Sequence, residues 1–338
     1  MASKLHELGH KVLFFTGRKS ALAEKLSKTT IPVVKISIGN LSFLNPFKLL
    51  LLKHLFRKNK ISVIILNLSA DLKTAGISAR MAGVSRIIYR RGSAIPVKNT
   101  FLNKWLFSNI VTDVLTNSEA TKNTLLQNNP HLFPLNKIKV IYNGLKPEDY
   151  IGKEAKKLYK TLPGKCILGH AGRMVYQKGH NYLIDIAAAL KKKGIDFILL
   201  LAGSGPLERK IREQAKNLGL ENEIVFLGFV DDMVSFMQTI DIFVLTSRWE
   251  GFGFVLTEAM IQKKPVVAFN ISSNPELVHH GDNGFLAIPF DTEEFSNHLT
   301  TLIHNAKLRS DFGNKGYEMV HKKFLFDRSV RDFLQLIK

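Results

Sequence analysis

The stretch IDIFVLTSRWEGFGFVLTEAMIQKKPVVAF, residues 240–269, decides how the chain folds. Its apolar run from Ile242 to Leu245 is short and β-branched enough to form a buried strand. A loop follows from Ser247 to Gly253, with a glycine on each side of Phe252, and Val255 to Gln262 then predicts a helix. Lys263-Lys264-Pro265 breaks that helix, and Val266 to Phe269 is a second buried strand. Strand, glycine loop, helix and strand within about thirty residues make one βαβ unit. Ligands of such units lie beyond the carboxyl ends of the strands, which is where this loop sits.

Two carboxylates mark the loop. Glu250 stands between Trp249 and Gly251, where the missing glycine side chain lets a ligand approach the backbone. Glu258 falls about one turn into the following helix and can point back toward the same crevice. Ionised carboxylates only accept hydrogen bonds, so the pair suits vicinal hydroxyls. Taken alone, such a pair reads as a loop cap at Glu250 and a solvated helix residue at Glu258. The glycine loop between strand and helix favours a site.

The same residues carry a family resemblance. The run E-G-F-G-F-V-L-T-E, Glu250 to Glu258, resembles the E-x7-E motif of the group 1 glycosyltransferases, retaining, nucleotide-sugar-dependent enzymes of the GT-B fold. The likeness continues through HAGRMVYQKGHNYLI (170–184), LLAGSGPLERKI (200–211), IVFLGFVDD (224–232) and PELVHHGDNGFLA (275–287). It covers nearly all of residues 138–300 in the family's order and spacing. The resemblance implies an α/β chain of two Rossmann-like domains facing a central cleft. Residues 1–150 would form the acceptor domain and residues 151–338 the nucleotide-sugar donor domain, its last helix (Asp327 to Ile337) crossing back to the first. Residues 147–165, with Pro147, Gly152, Pro163 and Gly164, read as the linker.

The donor half opens with a strand at Ile167 to Gly169, then His170-Ala171-Gly172-Arg173, then Tyr176-Gln177-Lys178-Gly179 before a helix. Strand, glycine and helix start make an anion site, and Arg173 and Lys178 set two cations at its mouth. The resemblance implies that Arg173 and Lys178 hold the donor's diphosphate, and preorganised cations do lower the barrier where a leaving group gathers negative charge. It implies catalytic roles for Arg173, Lys178 and Glu250, with Glu250 on the sugar hydroxyls and Glu258 on the ribose. Gly172, Gly251, Phe252, Gly253 and Phe254 would complete the donor site, the last four through backbone amides, with the backbone around Val230 near the base. Ser272-Ser273 stands where the family often has two glycines, and the small side chains still suit that loop. No D-x-D pair occurs, so neither a metal nor a cofactor is expected beyond the co-substrate, a UDP- or GDP-sugar.

In the first half, apolar runs predict strands at Val12–Thr16, Ile31–Ile38, Ile61–Leu66, Arg86–Tyr89, Val111–Thr116 and Ile138–Tyr142. Helical patterns lie near 20–28, 45–59, 71–82, 99–109 and 118–128. Such alternation predicts a parallel sheet covered on both faces. Before the helix tail of Lys4 to Lys11 the family has a first strand and a glycine-rich loop; this sequence has neither, so the first domain is expected to be shortened by that strand. Arg90 and Arg91 end a strand and enter a loop, where an adjacent pair suits an acceptor's phosphate or carboxylate; many family members carry a histidine there. The segment PFKLLLLKHLFRKNK (46–60) is expected to bury its leucine stripe, with an anionic membrane surface as the second reading. Phe101, Trp105 and Phe107 are read in the same way.

Charge separates the halves. Residues 1–150 hold 23 Lys and Arg against 7 Asp and Glu, whereas the remainder holds 25 against 21. A basic half suggests an anionic partner: an anionic membrane surface or a phosphorylated acceptor, with no nucleic acid, because neither an aromatic-basic motif nor a zinc spacing occurs. The single cysteine, Cys166, fits a reducing cytosol, and no apolar run approaches the ~18 residues of a membrane span. The expected protein is cytoplasmic, peripheral on the inner membrane face, and transfers sugar to a glycan or glycolipid in cell-surface polysaccharide or lipopolysaccharide synthesis. The competing reading is a non-catalytic sugar-nucleotide or polyanion-binding protein. A sugar-nucleotide epimerase matches less well, because E-x7-E with an upstream R-x4-K is the transferase pattern.

Overall fold

The computed structural model describes residues 1–17, 20, 23, 24, 26, 29–160 and 164–337. First-half strands are β1 (Phe14–Thr16), β2 (Val33–Lys35), β3 (Val63–Leu66), β4 (Arg86–Arg91), β5 (Asp113–Thr116) and β6 (Ile138–Val140). Second-half strands are β7 (Cys166–Ala171), β8 (Phe197–Ala202), β9 (Ile224–Gly228), β10 (Ile242–Leu245), β11 (Val266–Phe269) and β12 (Gly284–Ala287).

The second half builds one parallel sheet in the order β12-β11-β10-β7-β8-β9. Every residue of β7, β8, β10 and β11 is buried, which is why these strands are continuous apolar runs without polar alternation. The quoted βαβ unit is present: β10, the helix Phe254–Ile261, then β11 alongside β10 with Val244 opposite Val267.

The first half differs from the single sheet expected. Among the described residues, β1 pairs only with β2, and β3-β4-β5-β6 form a separate four-stranded parallel sheet. Alternating strand and helix signals fix strand direction, but they do not say which strand edges bond. The helix expected near 20–28 lies mostly outside the described residues. The helix Pro46–Lys58 buries Leu52 and Phe56, the latter edge-on to Phe15, but leaves Phe47, Leu50 and Leu51 exposed. Its apolar stripe is therefore wider than the surface that covers it. Phe107 is core, as expected, whereas Phe101 and Trp105, one turn apart, face outward.

Two segments join the halves. Residues 147–160 lie along the second half, where the backbone N–H of Lys156 donates to Ser235 Oγ and that of Leu158 to Thr239 Oγ1. The chain returns at Phe324–Phe326, where Leu145 donates to Phe324 O at 3.0 Å and Phe326 donates to Leu145 O at 2.8 Å. That approach requires Gly144, because a Cβ there would stand 2.4 Å from the backbone of Leu325. The final helix, Phe326–Ile337, then packs Phe333 and Leu336 against Ile88, Leu115 and Ile141 of the first half.

Candidate active site

In a parallel sheet, every loop that follows a strand emerges on the carboxyl edge. The loops after β7 and β10 therefore meet side by side. Arg248 N–H donates to Gln177 O at 2.7 Å, Gln177 Nε2 to Trp249 O at 3.0 Å, and Thr246 Oγ1 to Gly179 O at 3.1 Å. The Arg248 guanidinium stacks over Tyr176 and Tyr182, at 4.1 and 4.7 Å from their ring centres.

This frame brings Gly172, Lys178 and Glu250 together. Lys178 Nζ is 2.6 Å from Glu250 Oε1, and Ser247 Oγ donates to the same oxygen at 2.6 Å. Glu250 is only 6% exposed, so its charge depends on these two donors. A Cβ on Gly172 would touch Lys178 Cδ at 3.4 Å. Arg173 is exposed and, among the described residues, in no ion pair, which leaves it as the uncompensated cation at the mouth. Two residues expected to hold different parts of one donor thus hold each other.

Glu258 is turned elsewhere. Its Oε1 accepts from Tyr150 OH at 2.8 Å. Burial pushes the Glu258 carboxyl up, against the hydrogen bond, and the Tyr150 phenol is likewise raised by burial and then by Glu258. Phe252 is a plug, packed against Tyr142 and Phe324 at ring separations of 5.9 and 5.6 Å. Gly253 starts the helix at φ +76°, and Phe254 is half exposed. Val230 lies just beyond β9, half-buried against the second-half core. Ser272 takes φ +52°, a backbone conformation natural to the glycine the family often has there, and Ser273 is buried.

The first half closes over the same loop. Ser118 Oγ and Thr121 Oγ1 donate to Gly251 O at 2.5 and 3.1 Å. Only glycine fits at 251, since a Cβ would lie 1.9 Å from Gly92 O. Glu276 reaches across and accepts from the backbone N–H groups of Glu119 and Ala120, at 2.9 and 2.8 Å, at the start of the helix Glu119–Leu126. The Tyr142 hydroxyl also donates to Glu276; burial and that carboxylate raise its pKa.

Arg90 and Arg91 do not act as a pair. Successive side chains of a strand point to opposite faces, and both residues belong to β4. Arg91 is bound to Ile95 O and, at 3.5 Å, to Tyr89 OH; Arg90 reaches Asn67 and Asn143 on the other side.

Beneath the glycine loop sit two buried histidines that motif reading passes over. His170 Nδ1 donates to Val244 O at 2.9 Å, which leaves Nε2 unprotonated and without a partner. Its ring centre is 4.7 Å from that of His180, whose two nitrogens are also unpartnered. Burial holds His170 well below the usual histidine range and His180 down to about 4. Sequence motifs likewise give no role to Tyr150, Ser247, Tyr142 or Glu276. Tyr150 lies in the polar stretch read as linker, and Glu276 in PELVHH, a segment quoted for its order without a role. Among the described residues, no cluster of three or more His, Cys, Asp or Glu is placed to hold a metal ion, and no helix is long and apolar enough to cross a membrane.

Comparison with known proteins covers both halves of the chain. The model for glycosyl transferases group 1 matches residues 153–319, and that for glycosyltransferase family 4 matches residues 1–149. A capsular polysaccharide biosynthesis glycosyltransferase of Staphylococcus aureus is 30% identical over 221 residues, 63% of this chain and 58% of its own. The chain thus spans less than two thirds of that relative's length. A glycosyltransferase from Rickettsia africae superposes with a TM-score of 0.88 at 22% identity, over 100% of this chain and 92% of its own. The Anabaena protein HepE, solved with UDP and glucose, gives 0.79 at 24% identity over 96% and 90%. These likenesses establish the expected fold, two α/β domains of the GT-B type.

Proposed function

The chain belongs to the group 1 glycosyl transferases, and on that premise we propose that it moves a sugar from a UDP- or GDP-sugar to a glycan or glycolipid acceptor, with retention at the anomeric carbon, in cell-surface polysaccharide or lipopolysaccharide assembly. The observation that carries the reading is the meeting of Gly172, Lys178 and Glu250 beside the free charge of Arg173, at the carboxyl edge. As the bond from C1 to the diphosphate oxygen breaks, negative charge collects on that oxygen. Arg173 and Lys178 meet it. The acceptor hydroxyl attacks C1 on the same face, and its proton passes to the departing phosphate. No side chain is assigned as nucleophile. Lys178 must exchange Glu250 for the diphosphate when donor binds, which frees Glu250 Oε1 for the sugar hydroxyls; Glu258, released from Tyr150, would take the ribose.

A setting at the inner, anionic face of a cell membrane is part of the proposal. It is supported by the exposed Leu41, Leu44, Phe47, Leu50 and Leu51, which share a short stretch with Lys48, Lys53, Arg57 and Lys58 on the basic half. The test is product formation: purified protein with UDP-glucose, UDP-N-acetylglucosamine or GDP-mannose and a glycolipid extract, reading nucleotide release and the product's anomeric configuration by NMR. Donor and product should share one configuration, and Glu250→Ala should lower turnover at least about 100-fold. A Glu250→Ala protein with full turnover would remove the assignment, and an inverted product would remove retention.

A further inference from the structure

A second run of exposed apolar surface on the first half starts at the seam with the second. Gly92, the residue after β4, sets its carbonyl so close to Gly251 that a Cβ there would lie 1.9 Å away. Ile95 stands three residues further along the same loop, a reach of at most about 10 Å. It is exposed, although Ala94 and Val97 around it are buried. The loop is pinned on both sides of it: Arg91 donates to Ile95 O, Asn128 Nδ2 to Val97 O at 3.1 Å, and Asn103 Nδ2 to Lys98 O at 2.7 Å. Ile95 is therefore held outward by a fixed backbone.

The helix Phe101–Asn109 continues the run. Thr100 caps it by accepting from the backbone N–H of Asn103, and the helix buries Leu106 and Phe107. Phe101 and Trp105, one turn apart, share its outer face, and Phe101 is 85% exposed. No Asp or Glu occurs between Asp71 and Asp113, so nothing acidic in this segment answers Lys98 and Lys104. Both lysines are exposed and, among the described residues, in no ion pair. A partner for this face must bring an apolar part and a negative charge together. Three apolar side chains along one loop and helix are too narrow for a stable protein interface, which takes about 800 Å² from each partner. They suit the width of a single alkyl chain.

We propose that Ile95, Phe101 and Trp105 form a track for the apolar chain of a lipid-borne acceptor, with Lys98 and Lys104 meeting the phosphate of its head. The inference rests on the transferase reading above and narrows its acceptor to a phosphorylated lipid. The reacting end of such a molecule lies at the seam beside Gly92 and Gly251, and its chain runs outward over the helix. Apolar contact holds the chain and the ammonium groups add point charges, so both parts of the ligand are needed for full affinity. The track is separate from the stretch of Leu41 to Leu51, which faces a membrane as a surface; the track takes one molecule.

The test is calorimetric titration of UDP-saturated protein with decyl phosphate, kept below its micelle-forming concentration, and with butyl phosphate and decanol. Decyl phosphate should bind wild type at least about tenfold more tightly than either control. Phe101→Ser with Trp105→Ser should weaken it about tenfold, and Lys98→Gln with Lys104→Gln should weaken it while leaving decanol unchanged. All four side chains are exposed, so both variants keep the fold and should bind UDP as wild type does. Phe47→Ser with Leu50→Ser, on the other apolar stretch, should leave decyl phosphate unchanged. Decyl phosphate that binds no better than butyl phosphate or decanol, or binds the Phe101 and Trp105 variant as it binds wild type, would overturn the track. An equal loss in the Phe47 and Leu50 variant would also overturn it, since it would mean general adhesion to apolar surface. In each of these cases UDP binding leaves the transferase reading standing; failure of wild type to bind UDP would overturn both.

Discussion

The second half of the molecule is finished and the first half is not. Six strands of the second half form one sheet whose central members are buried along their whole length, and its loops are tied to one another by side chain and backbone. The first half divides its strands between two sheets and exposes Leu44, Phe47, Leu50, Phe101 and Trp105. The difference is one of closure: the second half buries its strands in one sheet, and the basic first half leaves apolar surface open, which the proposed function would assign to a small donor and to a large acceptor respectively.

Changes at the seam should break this comparison most strongly. Gly251→Ala puts a methyl group into Gly92 O, so the first half cannot close while the second keeps its sheet. Turnover should fall at least about 100-fold, the cost of misplacing reacting groups by an ångström. Thermal unfolding and UDP binding should stay near wild type; equal losses of binding and stability would mean that the halves are not independent. Glu276→Gln attacks the same seam, because the two backbone N–H groups of Glu119 and Ala120 reach two different carboxylate oxygens and an amide offers only one acceptor. Small-angle scattering should report a more open average shape, and an unchanged profile would deny Glu276 its latching role.

Next comes a change confined to the second half. Lys178→Met leaves Glu250 buried with Ser247 as its remaining partner. Breaking such a pair costs about 3 kcal/mol, to be read as a lowered denaturation midpoint with an unchanged slope. A midpoint equal to wild type would show that solvent already carries the charge.

Acid should separate the halves in turn. His170 and His180 are held neutral in the fold, with pKa values below their unfolded 6.5. Between that value and about 4, for His180, the unfolded chain therefore binds more protons than the native one. Stability is full above pH 6.5 and falls as pH drops below it, by roughly 1.4 kcal/mol per pH unit for each proton. Glu258, raised by burial, works in the opposite sense: its neutral form suits the fold, so its cost appears as pH rises. Urea unfolding monitored near Trp249 should show the acid loss, and replacing His180 with Phe should flatten it.

The smallest effect is on the outer face. Phe47→Ser with Leu50→Ser should change stability by no more than about 0.5 kcal/mol, since both side chains are already in water. The same double change should abolish sedimentation with phosphatidylglycerol vesicles. Retained sedimentation would move the membrane contact elsewhere.

Legibility followed the same division. A strand buried on both faces leaves an uninterrupted apolar run, so β7, β8, β10 and β11 could be placed to within a residue or two, and the glycines between them located the crevice. The Lys178–Glu250 contact joins residues 72 apart, and no periodicity encodes it. Arg90 and Arg91 are adjacent in sequence but have separate partners, because successive strand residues point to opposite faces. The leucines of Pro46–Lys58 misled because an apolar stripe says what could be buried, not how much cover the neighbouring sheet provides. His170 and His180 lie within the quoted run 170–184 but receive no role from it; a histidine facing an apolar core looks the same in sequence whether it is partnered or orphaned.

The central claim is that Arg173 and Lys178 form a ready site for a nucleotide diphosphate. The direct measurement is the thermal shift of wild type and Arg173→Ala with UDP and with GDP. A ligand at ~100 times its dissociation constant adds about 2.7 kcal/mol, which the account predicts as a rise of several degrees for one nucleotide in wild type, lost in the variant. No rise with either, or an equal rise in both proteins, would contradict it.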